Sequence, residues 1–250
     1  KKILFDTGYS DLFIENAKKM DLNLHDLDYL VLSHSHLDHS WGLQHLIQLY
    51  TEAQLEGKEY KKPKLVTHPE TFASRRIGRI DQIGSLISKE RAARHFNLNL
   101  SREQFKLTEN LVFLGQIERK NDFEAQKPIG KVIKNGREEA DYIIEDSALA
   151  YKTPQGLVII TGCSHAGICN IIEQAKSIFK EDRIVDVIGG FHLQNPSQKQ
   201  LKGTKSYFQK IKPEAVHASH CTDLQSKIEL AQVVNLKEVG VGLELNYYPI

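Results

Sequence analysis

One hexapeptide of this 250-residue chain gathers three imidazoles and a carboxylate: His34-Ser35-His36-Leu37-Asp38-His39. Packing alone is a poor reason to collect such groups, because polar side chains seldom enter a core unpaired. His34 and His36 are two apart, so on an extended segment they point the same way. Asp38 and His39 follow after a bend and can face a second point a few ångströms off. The chemistry this spacing suits is the holding of divalent cations. Mixed imidazole and carboxylate ligation fits zinc first, with manganese, iron or magnesium as alternatives.

A catalytic cation usually takes about three protein ligands and keeps one position open, so further donors must come from elsewhere. Three later segments place a histidine where an apolar run gives out: Thr161-Gly162-Cys163-Ser164-His165, Gly189-Gly190-Phe191-His192 and His217-Ala218-Ser219-His220-Cys221. His165 and His220 read as metal ligands, and His192 as a ligand or a substrate contact. Cys163 and Cys221 could be thiolate ligands, although a small buried residue is the simpler role for each. His25, His45 and His95 lack metal-like neighbours and read as surface residues. His68 ends a strand and could face a pocket, while His217 reads as structural.

The elements that must position these residues alternate. Strands are expected at 1–6, 29–32, 64–67, 111–114, 142–151, 157–161, 184–188, 215–218 and 238–247, from compact apolar or alternating runs. Helices are expected over 12–20, 43–50, 167–179, 198–211 and 223–233. A mostly helical polar region fills 70–106, and 115–141 reads as an irregular crossover. Thr153-Pro154-Gln155-Gly156 has the composition of a turn joining two strands. Alternation of this kind implies α/β architecture with helices covering sheet, and ligand sites in such folds gather beyond strand ends. No glycine- or proline-rich linker divides the chain, so a single domain over 1–250 is expected.

Lys and Arg total 33 against 32 Asp and Glu, a formal net charge of +1, which argues against a dedicated nucleic-acid or membrane-surface protein. The exception is residues 75–106, with eight basic and three acidic groups. They read as a solvated face or as a basic flap over an anionic substrate. Three cysteines are too few for a disulfide scaffold, no charged-then-apolar leader opens the sequence, and no run is long enough to span a bilayer. A reduced, cytoplasmic protein is expected.

Asp6-Thr7-Gly8 after the first strand, the HxHxDH at 34–39 and the strand-end histidines resemble the metallo-β-lactamase superfamily. Four stretches resemble, more narrowly, its branch of dihydropterin-methyl-(ribofuranosyl)aminobenzene-phosphate synthases. They are Leu114-Gly115-Gln116-Ile117-Glu118-Arg119 running to Asn121-Asp122-Phe123-Glu124, then Thr161 through Ile168, Gly189 through Leu193, and Ser219-His220-Cys221-Thr222. The resemblance covers nearly the whole chain. It implies an αββα sandwich, two mixed sheets flanked by helices, with a basic helical insert at about 70–110 and a dinuclear site in a shallow groove. By the same resemblance His34 and His36 hold one cation, Asp38 and His39 the other, and His165 and His220 complete the two shells. Asp6 would orient a ligand imidazole and Arg119 would meet an anionic substrate group. The bridging aspartate of many members is replaced at its position by Cys163, so Cys163, His165 or Asp146 would take its place. A strand or hairpin expected before the first strand is not seen in this sequence.

The activity expected is hydrolysis of a small anionic, phosphorylated metabolite, with Asp38 orienting and deprotonating the attacking water and His192 protonating the leaving oxygen. The branch implies an alternative, a transferase using a pterin pyrophosphate. A non-catalytic metal or metabolite sensor is the third reading, against which the intact Asp38 speaks. Partners expected are a small anionic substrate, no nucleic acid and no membrane, with homo-oligomerisation left open.

Overall fold

The computed structural model describes residues 1–134 and 136–248. In chain order come β1 (Ile3–Phe5), α1 (Leu12–Lys19), β2 (Tyr29–Val31), the single turn α2 (Leu37–Ser40), α3 (Leu43–Leu55), β3 (Lys64–Thr67), β4 (Ser74–Arg76), α4 (Lys89–His95) and β5 (Asn97–Leu100). Short strands β6 (Phe105–Lys106) and β7 (Leu111–Phe113) and a hairpin, β8 (Lys131–Lys134) and β9 (Arg137–Ala140), follow. The rest is regular: β10 (Ala148–Lys152), β11 (Leu157–Thr161), α5 (Ile168–Phe179), β12 (Ile184–Gly190), α6 (Gln198–Ile211), β13 (Ala215–Ser219) and α7 (Leu224–Ala231). Where the sequence suggested one domain, the chain forms two compact units, one of residues 1–102 and 128–141 and one of residues 103–127 and 142–250.

The first unit is built on a parallel sheet in the order β1-β2-β3-β5. Parallel neighbours need crossovers, and α1, α3 and α4 supply them. Helix α3 repeats apolar residues at helical spacing and buries Leu43, Leu46, Tyr50 and Ala53, the first three of which join Leu30, Leu32, Leu65 and Phe96 in one core. The hydroxyl of Tyr50 donates to the Leu24 carbonyl at 3.0 Å, so its burial leaves no polar group stranded. A smaller antiparallel sheet, β4-β8-β9, belongs to the same unit.

The second unit holds a six-stranded mixed sheet, β13-β12-β11-β10-β7-β6, parallel from β11 to β13 and antiparallel beyond. Its core includes Ile159, Ile171, Val187, Phe191, Phe208 and Val216. Helix α5 starts on Gly167, at φ +93°, where a Cβ would lie 2.3 Å from the Glu124 carboxyl carbon. That carboxylate accepts the Asn170 N–H at 2.7 Å, the Cys169 N–H at 3.2 Å and the Asn121 amide at 2.8 Å. It thereby satisfies donors that the first helical turn would leave orphaned. The neighbouring Phe123 ring fills the space over Gly203 of α6. The Asn121–Glu124 motif is thus spent on seating helices.

Several expectations are corrected. Residues 70–106 are not a helical insert: they hold one 3₁₀ turn (Pro69–Phe72), the seven-residue α4 and strands β4, β5 and β6. Tertiary pairing overrides local helix propensity there. Arg75, fully buried, sets its Nε 2.9 Å from Asp141 Oδ2, and β4 pairs with β8. The crossover at 115–141 accordingly contains a hairpin. The strand expected from 142 begins at Ala148, because Ile143 is left-handed (φ +49°) and turns the chain. No strand forms at 238–247, where Gly240 and Gly242 interrupt the apolar alternation. The first sheet is wholly parallel, so only the second matches the mixed pattern expected of both. Among the described residues no helix is long and apolar enough to cross a membrane.

Candidate metal centre

In the first unit the histidine cluster begins just beyond β2. Strand β1 pairs in parallel with β2 and is followed by Asp6, whose left-handed backbone (φ +59°) turns its carboxylate back toward Ser33. Asp6 Oδ1 accepts the Ser33 N–H at 2.7 Å, and Oδ2 accepts the Ser33 hydroxyl at 2.7 Å. Oδ2 also takes His39 Nδ1–H at 2.7 Å. With its proton given to Asp6, Ser33 Oγ can accept Nδ1–H of His34, 2.9 Å away. Both imidazoles are then the tautomer whose Nε2 carries the lone pair a cation needs. The His34 ring lies 4.8 Å from that of His36 and 4.1 Å from that of His39, all three buried. Asp38 is 43% exposed, with Oδ2 3.7 Å from His39 Nε2.

The same loop is fastened from below. Thr7 donates its N–H and its hydroxyl to the His39 carbonyl at 2.9 and 3.1 Å, and Gly42 donates to the Gly8 carbonyl at 2.9 Å. A Cβ on Gly42 would stand 2.0 Å from the Thr7 carbonyl oxygen, so only glycine admits this approach.

In the second unit the loops after β11, β12 and β13 carry the remaining candidates. Each has a left-handed residue that is not glycine: Ser164 (φ +57°), His192 (φ +51°) and His220 (φ +50°). Such residues are uncommon and gather at functional sites. Ser164 Oγ donates to the Gly190 carbonyl at 2.6 Å, and Gly190 N–H donates to the Gly162 carbonyl at 2.9 Å. The His165 and His192 rings are 4.4 Å apart. Cys163 Sγ lies within 4.8 Å of a ring nitrogen of both, and as near to a ring nitrogen of His220 and to Cys221 Sγ. The two sulfurs are 2.9 Å apart, and Cys221 Sγ accepts the His192 N–H at 3.2 Å. The Cys221 thiol is drawn down to about 5 by the hydrogen bond from Cys163, with His192 and His220 assisting and burial opposing.

The structure therefore brings His34, His36, Asp38 and His39 together in one unit, and His165, His192 and His220 around Cys163 in the other. Asp146 accepts the Ala166 N–H at 2.8 Å, which gives it work on the backbone. Arg119 donates through Nη2 to the carbonyls of Tyr142 (2.5 Å) and Ile143 (2.8 Å) and lines a cavity of about 430 Å³ with Gln116, Glu118 and Tyr142. His217 is structural as expected, its Nδ1 2.9 Å from Asp186 Oδ1. His68 accepts the Glu70 N–H through Nδ1 at 3.1 Å and caps the 3₁₀ turn. Ser33 escaped sequence reasoning; its one signal is its place directly before the first ligand-like histidine.

The donor chemistry fits divalent cations. Hydroxyl and carboxylate partners at Nδ1 of His34 and His39 orient both rings and select the tautomer whose Nε2 can ligate.

A family model described as the metallo-beta-lactamase superfamily matches residues 1–174. The 7,8-dihydropterin-6-methyl-4-(beta-D-ribofuranosyl)-aminobenzene-5'-phosphate synthase of Methanocaldococcus jannaschii is 29% identical over 241 residues, 91% of this chain and 77% of that protein. An uncharacterised protein of the same organism, MJ0448, is 29% identical over 97% of this chain and 87% of its own length. Among solved structures, Tm1679, described as a metal-dependent hydrolase of the beta-lactamase superfamily, superposes with a TM-score of 0.82 at 28% identity, covering 98% of this chain and 88% of that one.

Proposed function

Because the chain belongs to the metallo-beta-lactamase superfamily, we propose that it is a metal-dependent hydrolase of a small anionic, phosphorylated metabolite. His34 and His36 would hold one divalent cation and Asp38 and His39 a second, and His165 and His220 are further candidate ligands. Bound there, such cations acidify water and offset charge on the oxygens of a displacement. The observation that carries this reading is the Asp6 carboxylate, whose bonds to Ser33 and His39 set the tautomers of two imidazoles.

The chain's own groups supply the rest. Asp38, the exposed member of the cluster, orients the attacking water and accepts its proton. His192 delivers a proton to the leaving oxygen, and Arg119 meets the substrate's anionic end. Buried imidazoles keep bulk water from one side of the cluster, where charge interactions are correspondingly stronger.

A second reading, a transferase using a pterin pyrophosphate, is favoured by one observation: the synthase relative aligns over 91% of this chain. Metal analysis of the purified protein, then turnover on phosphomonoesters, phosphodiesters and pterin pyrophosphates, separates the two. Hydrolysis puts one atom of oxygen from labelled water into product, whereas transfer to an amine acceptor releases pyrophosphate without it. Chelation should abolish turnover and one added cation restore it. Full activity after exhaustive chelation would sink both readings, and wild-type protein that turns over none of these substrates, with ligand binding that survives Asp38→Ala, would leave a sensor.

A further inference from the structure

The second unit contains a chemical feature that hydrolysis does not use. Cys163 follows β11 and Cys221 follows β13, two strands separated in the sheet by β12, yet their sulfurs stand 2.9 Å apart. Both are thiols in this structure. That separation is inside ordinary sulfur–sulfur contact and only about 0.9 Å longer than a disulfide bond of about 2.05 Å. The pair is also held in place. Cys221 Sγ takes the His192 N–H at 3.2 Å and lies 3.3 Å from the Cys163 carbonyl oxygen. A Cβ on Gly190, on the strand between them, would reach to 2.7 Å of Cys221 Sγ, so glycine there is what lets the sulfur come in. The two thiols differ in access: Cys163 is 6% exposed, whereas Cys221 is half-buried. A reachable thiol backed by a buried neighbour is the arrangement of an attacked and a resolving cysteine.

We propose that Cys163 and Cys221 are a modification site, a dithiol that closes to a disulfide on exposure to a hydroperoxide. The peroxide O–O bond breaks as Cys221 sulfur takes one oxygen, giving a sulfenic acid and releasing the alcohol, or water when the oxidant is hydrogen peroxide. Cys163 sulfur then attacks that sulfur, an S–S bond forms, and the hydroxyl leaves with the Cys163 proton as water. Two electrons pass from the sulfurs to the peroxide, and a dithiol reductant reverses the change. Cys221 directly follows His220, and Cys163 lies two residues before His165. Drawing the sulfurs together therefore shifts side chains directly beside both imidazoles. Its consequence for cation binding, a weakened hold, rests on the function proposed above.

The whole protein, as purified, is treated with equimolar hydrogen peroxide, then denatured for thiol titration and intact mass. Two of the three thiols should disappear with a mass loss of about 2 Da, dithiothreitol should restore both, and a peptide map should join Cys163 to Cys221. Cys169, sealed in the core on α5, should stay reduced. Cys221→Ser should show no such loss. A gain of one or two oxygens without a cross-link, or an unchanged thiol count, overturns the site. Bound cation is counted in the same samples: its release on oxidation from wild type, but not from Cys221→Ser, is expected. A disulfide that forms with no change in cation content overturns the coupling. Protein that binds no cation even when reduced would instead defeat the functional reading while leaving the disulfide result standing.

Discussion

The two ligand-bearing regions are held in place by different means. In the first unit, on a loop whose backbone is fastened at Thr7 and Gly42, side chains aim the imidazoles: one carboxylate, Asp6, reaches Ser33 and His39, and Ser33 reaches His34. In the second, backbone does it. Gly190 docks on Gly162, Ser164 locks to the Gly190 carbonyl, and left-handed residues aim the loops that carry His192 and His220. The first region should therefore lose function gradually, one side-chain bond at a time. The second should fail all at once when a backbone approach is blocked.

The largest effect expected tests that second half. Gly189 sits at φ +124°, where a Cβ would stand 2.0 Å from the Thr161 carbonyl oxygen, itself part of β11. Gly189→Ala carries both backbone strain and a clash with main chain that cannot swing away. A loss of about 3 kcal/mol or more in unfolding free energy is expected, read as a lowered denaturant midpoint at constant slope. A change below about 0.5 kcal/mol would mean that the three loops yield easily, and the contrast between the units would collapse.

A smaller effect belongs to the first half. Asp6→Asn keeps the shape of the hub but removes the charge that stabilises His39 Nδ1–H and the Ser33 hydroxyl. Residues of this kind, hydrogen-bonded behind a metal-ligating imidazole, typically govern metal affinity by about 10–100-fold. Titration of cation against a competing chelator should show a loss in that range, with thermal stability almost unchanged. Affinity within threefold of wild type would show that the backbone fastening at Thr7 and Gly42 suffices to aim the imidazoles, which would merge the two classes.

The same contrast explains what was legible in the sequence. His34 to His39 could be read because all their chemistry lies within six residues beyond one strand, whereas Asp6 was named only through the family resemblance. The strand-end histidines were visible one by one, but their grouping about Cys163 depends on strand order, which spacing does not encode. Residues 70–106 misled because the burial of Arg75 is decided by Asp141, far along the chain. Local propensity carries no trace of that partner. The Asn121–Glu124 motif was visible as a pattern, whereas its use, capping α5 and seating α6, needed the fold.

Arg119 stands between the two classes, and the smallest expected effect decides where it belongs. Its Nη2 donates to the carbonyls of Tyr142 and Ile143, and Ile143 is a buried β-branched residue at φ +49°. That conformation costs about 1–3 kcal/mol and persists only when its surroundings insist. Arg119 is thus placed to hold the turn before β10, while its position on a cavity suits the anionic contact proposed for it. Lysine keeps the charge but lacks the guanidinium whose Nη2 serves both carbonyls. If Arg119 contacts substrate, Arg119→Lys should raise KM by up to about tenfold, about 1.4 kcal/mol, with kcat within about twofold. If it only clamps the turn, the melting temperature falls and KM stays put, because losing the bonds at Ile143 weakens the fold and leaves substrate binding alone. A KM rise with an unchanged melting temperature would instead place Arg119 with the first region, where single side chains carry the function.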